Sequence, residues 1–282
     1  MGRVRLPAVA GLFYPWGRQA LQEEIAWCYR HPLGPGALPA LTDTPLGDSL
    51  GLIAPHAGYR YSGPISAHAY AFVAAAGRPQ GVLVLGPDHY GLGASLSLSD
   101  ADTWETPLGQ TPVFHAYDAH FQERLPELRP SPEGHRREHS LEVHLPFLQH
   151  LLGEAFPFLP IAMRDQGVET ALRLGQALAE VVPRRGWLVI ASTDLSHYYP
   201  EERARPLDRR VLKAILTGRP GAVAEVAEEV NMCGPGPVMA LLACFAQWGR
   251  AVPSLLAYAT SGDISGEREA VVGYASLALR RG

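Results

Sequence analysis

The stretch WLVIASTDLSHYY, residues 187–199, begins with an uncharged run of six and closes on a loop that holds Asp194 and His197. A short apolar run bounded this way reads as a buried strand delivering polar groups at its carboxyl end. Two other runs finish alike. LGLIA (50–54) leads into PHAGY and puts His56 two residues beyond its end, and GVLVLG (81–86) leads into PDHYG, with Asp88 and His89 just beyond. FLPIAM (158–163) is a fourth apolar run. Helical patterns lie near 64–76, 139–152, 168–182, 205–217, 220–229 and 236–248, and strand-like stretches follow at 253–259 and 270–279. Apolar runs alternating with longer helical patterns predict an α/β fold, a mixed sheet flanked by helices. The Pro/Gly-rich segment 31–48 follows too few residues to be a linker, so the chain 1–282 is expected to form a single domain.

In an open α/β sheet the ligand crevice lies at the carboxyl ends of the strands, so parallel strands would bring these three loops to one edge. Imidazole is the commonest metal ligand and requires a partner for its second nitrogen. Asp88 and Asp194 are placed to be that partner or to ligate directly. Cys233, in VNMCGPGP (230–237), is either a small buried apolar residue ahead of a helix or a thiolate ligand. Cys28 and Cys244 fit the buried role. A further segment, REHSLEVHLPFLQHLL (137–152), carries His139 and Glu142 three apart, on one helix face. They form either a polar face over Leu141, Leu145 and Leu148 or a wall of the site, while His144, five residues on, points elsewhere. The spacing is not that of the HExxH zinc motif.

Several functions are disfavoured. With a net charge of −4 and scattered arginines, the chain offers no electrostatic footprint for nucleic acid. Lys213 is the only lysine, and it stands in RVLKAIL without the glycines of a P-loop. No G-x-S-x-G elbow supports a serine triad. Three widely spaced cysteines are no disulfide framework and fit a reducing compartment. Pro7 and Pro15 interrupt the start before a signal-peptide core forms, and no run approaches the length of a membrane span. The expectation is a cytoplasmic protein with no membrane contact.

These residues sit in motifs that resemble the Memo-like family, the AmmeMemoRadiSam system protein B group of prokaryotes. The likeness runs nearly end to end: RLPAVAGLFYP (5–15), LIAPHAGYRYSGPISAHAY (52–70), VLGPDHYG (84–91), ETPLG (105–109), EHSLEVHLPFLQ (138–149), VIASTDLSHY (189–198), MCGPGPV (232–238) and SGDISG (261–266). The resemblance implies a fold similar to the class III extradiol ring-cleavage dioxygenases, which hold iron(II) on two histidines and a carboxylate. The Memo-like set is two histidines and a cysteine, falling here on His56, His89 and Cys233. His197 matches the dioxygenase acid/base, with Asp194 beside it, and Asp88, His139 and Glu142 are expected around the site. A thiolate in place of the carboxylate is softer, which suits copper or zinc as well as iron and sets ring cleavage in doubt. The function expected is a non-haem metal-dependent oxidoreductase acting on a small molecule, iron(II) being favoured. The alternatives are a zinc-type hydrolase or lyase at the same site, and a non-catalytic binding module with a vestigial pocket. Family association adds radical-SAM and AMMECR-type proteins as expected partners.

Overall fold

In the computed structural model, which describes residues 2–249 and 251–281, the four apolar runs are strands at Leu50–Ala54, Gly81–Pro87, Phe158–Met163 and Trp187–Ser192. Every residue of the four is buried. They pair in parallel in the spatial order Leu50–Ala54, Trp187–Ser192, Gly81–Pro87, Phe158–Met163. The Val271–Arg281 strand runs antiparallel beside Leu50–Ala54 and pairs in turn with Ala251–Thr260 and His197–Tyr199. At the other edge Leu96–Leu98 lies antiparallel to Phe158–Met163, and Leu128–Pro130 follows. The result is the mixed sheet the sequence led us to expect, nine-stranded among the described residues.

Strand periodicity decides how the two faces are covered. Leu83, Leu85, Val189 and Ala191 point into one core, under helices Val168–Val181, Glu201–Leu216, Pro220–Val230 and Pro235–Gln247; Val82, Val84, Leu188 and Ile190 point into another, under Arg18–Arg30, Tyr59–Ala76 and His144–Leu152. No helix among the described residues is long and apolar enough to cross a membrane.

Several short elements, the strands Leu96–Leu98, Leu128–Pro130 and His197–Tyr199 and the helices Asp118–Arg124, Glu133–Arg136 and Ser261–Ser265, were not anticipated, and three further departures from the sequence reading have a visible cause. The helix expected at 139–152 begins only at His144. Pro146 is the reason: it has no N–H to give the Glu142 carbonyl, so it tolerates only the first turn of a helix. His139 and Glu142 consequently share no helix face. Arg18–Arg30 is a helix that was not anticipated, although Leu21, Ile25, Cys28 and Tyr29 make a buried stripe at helical spacing. A small separate sheet of Val4–Arg5, Thr103–Thr106 and Gly109–Pro112 was also missed, its strands being too short to show a period.

Candidate metal centre

Leu50–Ala54, Trp187–Ser192 and Gly81–Pro87 are consecutive in the sheet and parallel, so the segments that follow them, carrying His56, Asp194 with His197, and His89, open at one edge. Cys233 arrives from the other side, on the turn between helices Pro220–Val230 and Pro235–Gln247. Asn231 makes that turn possible by ending the first helix in the left-handed region, φ 61°, a conformation Asn adopts more readily than most residues. Gly234 lets the turn press against the strand end: a Cβ there would meet the Ser192 carbonyl oxygen at 2.3 Å. The Gly234 amide donates to Thr193 Oγ1 (3.0 Å) and the Asp194 amide to Cys233 Sγ (3.0 Å).

One ligand atom each from His56, His89 and Cys233 lies within 4.8 Å of the others. Cys233 Sγ is 3.2 Å from His56 Nε2, while His56 Nδ1 turns inward to Ser192 Oγ at 2.7 Å. His89 is held by Glu138, whose Oε1 stands 2.9 Å from His89 Nδ1. That carboxylate also accepts the amides of His89 (2.6 Å), His139 (2.8 Å) and Ser140 (2.7 Å). An ionised acceptor facing Nδ1 fixes the proton there and leaves Nε2 as the available nitrogen, the arrangement usual for a metal-bound imidazole. His139 stacks on His89 with ring centres 4.5 Å apart and packs against Phe13 at 4.7 Å.

Burial governs the titration of these groups. It holds His56 well below the ordinary imidazole range, helped by the neighbouring imidazoles, and lowers His139 to about 4 despite the adjacent Glu138. Burial alone would raise Glu138, but the hydrogen bond from His89, the imidazole charges and the Ser140 amide outweigh it and hold the carboxyl at about 2. Asp194 is pushed up to about 6 by burial, against the pull of His197 and of the His56 amide. The Cys233 thiol is raised by burial and by the Asp194 charge. A cation held by the sulfur would reverse that preference, because coordination favours the thiolate.

Of the residues singled out from sequence, His56, His89, Cys233, Asp194, His197 and His139 all line one pocket of about 770 Å³. His197 Nδ1 donates to the Asn231 carbonyl at 3.1 Å, which leaves Nε2 for the pocket. Two expectations fail. Asp88 neither ligates nor braces a histidine: its carboxylate accepts the amides of Tyr90, Gly91 and Gly93 and shapes its own loop. Glu142 is fully buried beneath the site and belongs to another network, receiving Arg5, the amides of Ala8 and Val9, and the Tyr14 hydroxyl. That network clamps the N-terminal segment, which in turn places Leu12 and Phe13 on the pocket wall. Glu138 was missed, since one acidic residue beside His139 in a turn carries no periodic signal; adjacency to a histidine was the only clue.

Comparison with known proteins agrees with this architecture. The family described as Memo-like protein matches residues 5–278. A MEMO1 family protein of Methanopyrus kandleri, MK0963, is 42% identical over 282 residues, spanning 99% of each chain. One from Ignicoccus hospitalis is 40% identical, covering 97% of this chain and 98% of the relative. Among solved structures, the uncharacterized protein JW3007 from Escherichia coli K12 superposes with a TM-score of 0.53 at 14% identity, over 82% of this chain and 99% of that one, a likeness of fold alone. With a family match from Arg5 to Ala278 and full-length relatives at such identity, the chain belongs to the Memo-like family.

Proposed function

We propose that the chain is a metal-dependent enzyme, of oxidoreductase type, that works on a small organic molecule at His56, His89 and Cys233. One observation carries the reading: both imidazoles spend Nδ1 on partners inside the protein, and an Nε2 meets Cys233 Sγ at the floor of an open pocket. Two nitrogens and a thiolate suit iron(II), copper or zinc, and exclude the hard, oxygen-seeking cations. A metal held there supplies Lewis acidity and, if iron or copper, one-electron chemistry.

The remaining work falls to the chain's own groups. His197 offers Nε2 to move a proton at the substrate, its ring held by the Asn231 carbonyl. Phe13, Tyr61, Tyr198 and Tyr274 furnish aromatic walls, which favour a planar or ring-bearing substrate and keep water from its face. No Arg or Lys lines the pocket among the described residues, whereas Asp194 and Glu267 do. A substrate that is uncharged or cationic fits this lining better than a phosphate or a polycarboxylate.

The test is metal content after anaerobic purification, for the natural chain and for Cys233→Ala and His89→Ala. The reading expects a near-stoichiometric metal in the first and its loss in both variants. Undiminished metal in both would sink it. Oxygen consumption with catechol-type substrates then separates the oxidoreductase from a zinc hydrolase, which would give a flat trace.

A further inference from the structure

Behind the pocket wall, Ser192, His144 and Tyr70 are all buried and none of them lines the cavity. We infer that Ser192 is a positioning residue that sets which nitrogen of His56 carries the proton, and that the His144–Tyr70 pair is the clamp holding Ser192 in that role. The functional meaning of this control rests on the metal-site reading of His56; the proton assignment itself does not.

The argument is one of hydrogen-bond accounting. Three groups meet Ser192 Oγ: the Ser140 carbonyl at 2.6 Å, His56 Nδ1 at 2.7 Å and His144 Nε2 at 2.8 Å. A hydroxyl has one proton to give and two lone pairs to offer. The carbonyl can only accept, so it takes the proton, and both imidazole nitrogens must then donate. His144 obeys the same logic from its far side. Burial lowers it to about 3, so the ring is neutral and carries a single proton. The Tyr70 hydroxyl lies 2.7 Å from His144 Nδ1 and donates to it, which puts the ring proton on Nε2. Protons thus point from Tyr70 to His144 to Ser192, and from His56 to Ser192, with each donor matched to one acceptor.

The other tautomer of His56 would set a lone pair against Ser192 Oγ. To relieve it, the hydroxyl must turn away from Ser140 and leave a buried carbonyl facing a lone pair, a change that is expensive away from water. The lock therefore presents the His56 Nε2 lone pair to the pocket before any ligand arrives. His144 and Tyr70 contribute by fixing where Oγ sits, since Tyr70 is itself stacked on Phe147 with ring centres 4.7 Å apart.

The experiment labels the histidines with ¹⁵N in the metal-free chain and reads each tautomer by long-range ¹H–¹⁵N correlation, with anaerobic zinc titration as a second readout. The natural chain is expected to show His56 protonated on Nδ1 and His144 on Nε2. In Ser192→Ala, His56 gains a substantial Nε2-protonated population and zinc affinity falls by about 10- to 100-fold. His144→Phe moves both readouts the same way by less, and Ser192→Thr, which keeps the hydroxyl, recovers the Nδ1 form. Thermal melts show which variants are folded, and Ser192→Thr keeps the comparison alive where Ser192→Ala is not. His56 protonated on Nε2 in the natural chain, or a tautomer and affinity unmoved in Ser192→Ala, overturns the inference. A natural chain that shows the lock and its release in Ser192→Ala yet binds no zinc supports the inference and removes the metal reading.

Discussion

The carboxylate of Glu138 lies 2.9 Å from His89 Nδ1 and, with 1% of its side chain exposed, takes up three backbone amides as well. One side chain thereby fixes the tautomer of a candidate ligand and holds together the turn that carries His139. Glu138→Gln replaces the ionised acceptor with an amide that cannot satisfy the ring N–H and all three amides at once. Metal affinity should fall by about 10- to 100-fold, and stability by about 1–3 kcal/mol for the buried donors left unpaired. Isothermal titration with zinc and chemical unfolding measure the two effects separately.

Replacing the sulfur tests what it contributes. Cys233→Asp keeps an anionic ligand on the same turn but hardens the site, so the variant should retain a metal while its preference moves from copper and zinc toward iron or manganese. Elemental analysis after reconstitution with an equimolar mixture of metals reads the shift. An unchanged preference would mean that Cys233 Sγ is not a ligand.

Glu142 should behave as a structural residue, in contrast to Glu138. Glu142→Gln breaks a buried ion pair with Arg5, and leaving a charge uncompensated in such a place costs about 3–5 kcal/mol. The melting temperature is expected to drop sharply while metal content in the folded fraction stays near that of the natural chain. Loss of metal with no loss of stability would reverse the assignment.

Acid sensitivity should arise at the loop that closes the far side of the pocket. Burial raises the Glu201 carboxyl, yet hydrogen bonds from Thr260 and Arg205 and the charges of Arg205 and Arg268 outweigh it and hold it below the usual range. Asp263 is likewise raised by burial and lowered further by the Thr260 amide and Arg205. For carboxyls depressed in the folded state, the unfolded chain binds more protons in the intervening window, so stability falls as pH falls. Their contribution is present above about pH 5, begins to be lost near the ordinary carboxyl range of about pH 4, and is gone once pH has fallen through the lower pKa of the folded carboxyls. Urea unfolding at neutral and acid pH should show a shallower decline for Glu201→Gln than for the natural chain.

The parallel core was legible because its strands are uninterrupted apolar runs, and the convergence of His56, His89 and His197 followed from where those runs end. Cys233 stood between a buried and a ligating role until the family likeness favoured the second, and His139 was read from the residues alone as either part of a polar face or a wall of the site. What stayed hidden is set by contacts without a period. Glu138 sits in a turn, the Arg5–Glu142 clamp joins residues far apart in the chain, and Ser192 looked like the last residue of a strand. His144 was read as turned away from the site; it is, yet it reaches His56 through one hydroxyl. Pro146, visible in the sequence, should have moved the helix start to His144.

The three candidate ligands are drawn from positions 56, 89 and 233, and two of them depend on a strand, Trp187–Ser192, that enters between theirs in the sheet. During synthesis His56 and His89 leave the ribosome while that central strand is still unmade, and the sulfur follows later still. On the proposed reading, all three ligands are present only once residue 233 has been made, so a metal held by all three would be taken up after that point. An ion taken up there would pass through the pocket, whose lining includes the exposed rings of Tyr61 and Tyr198.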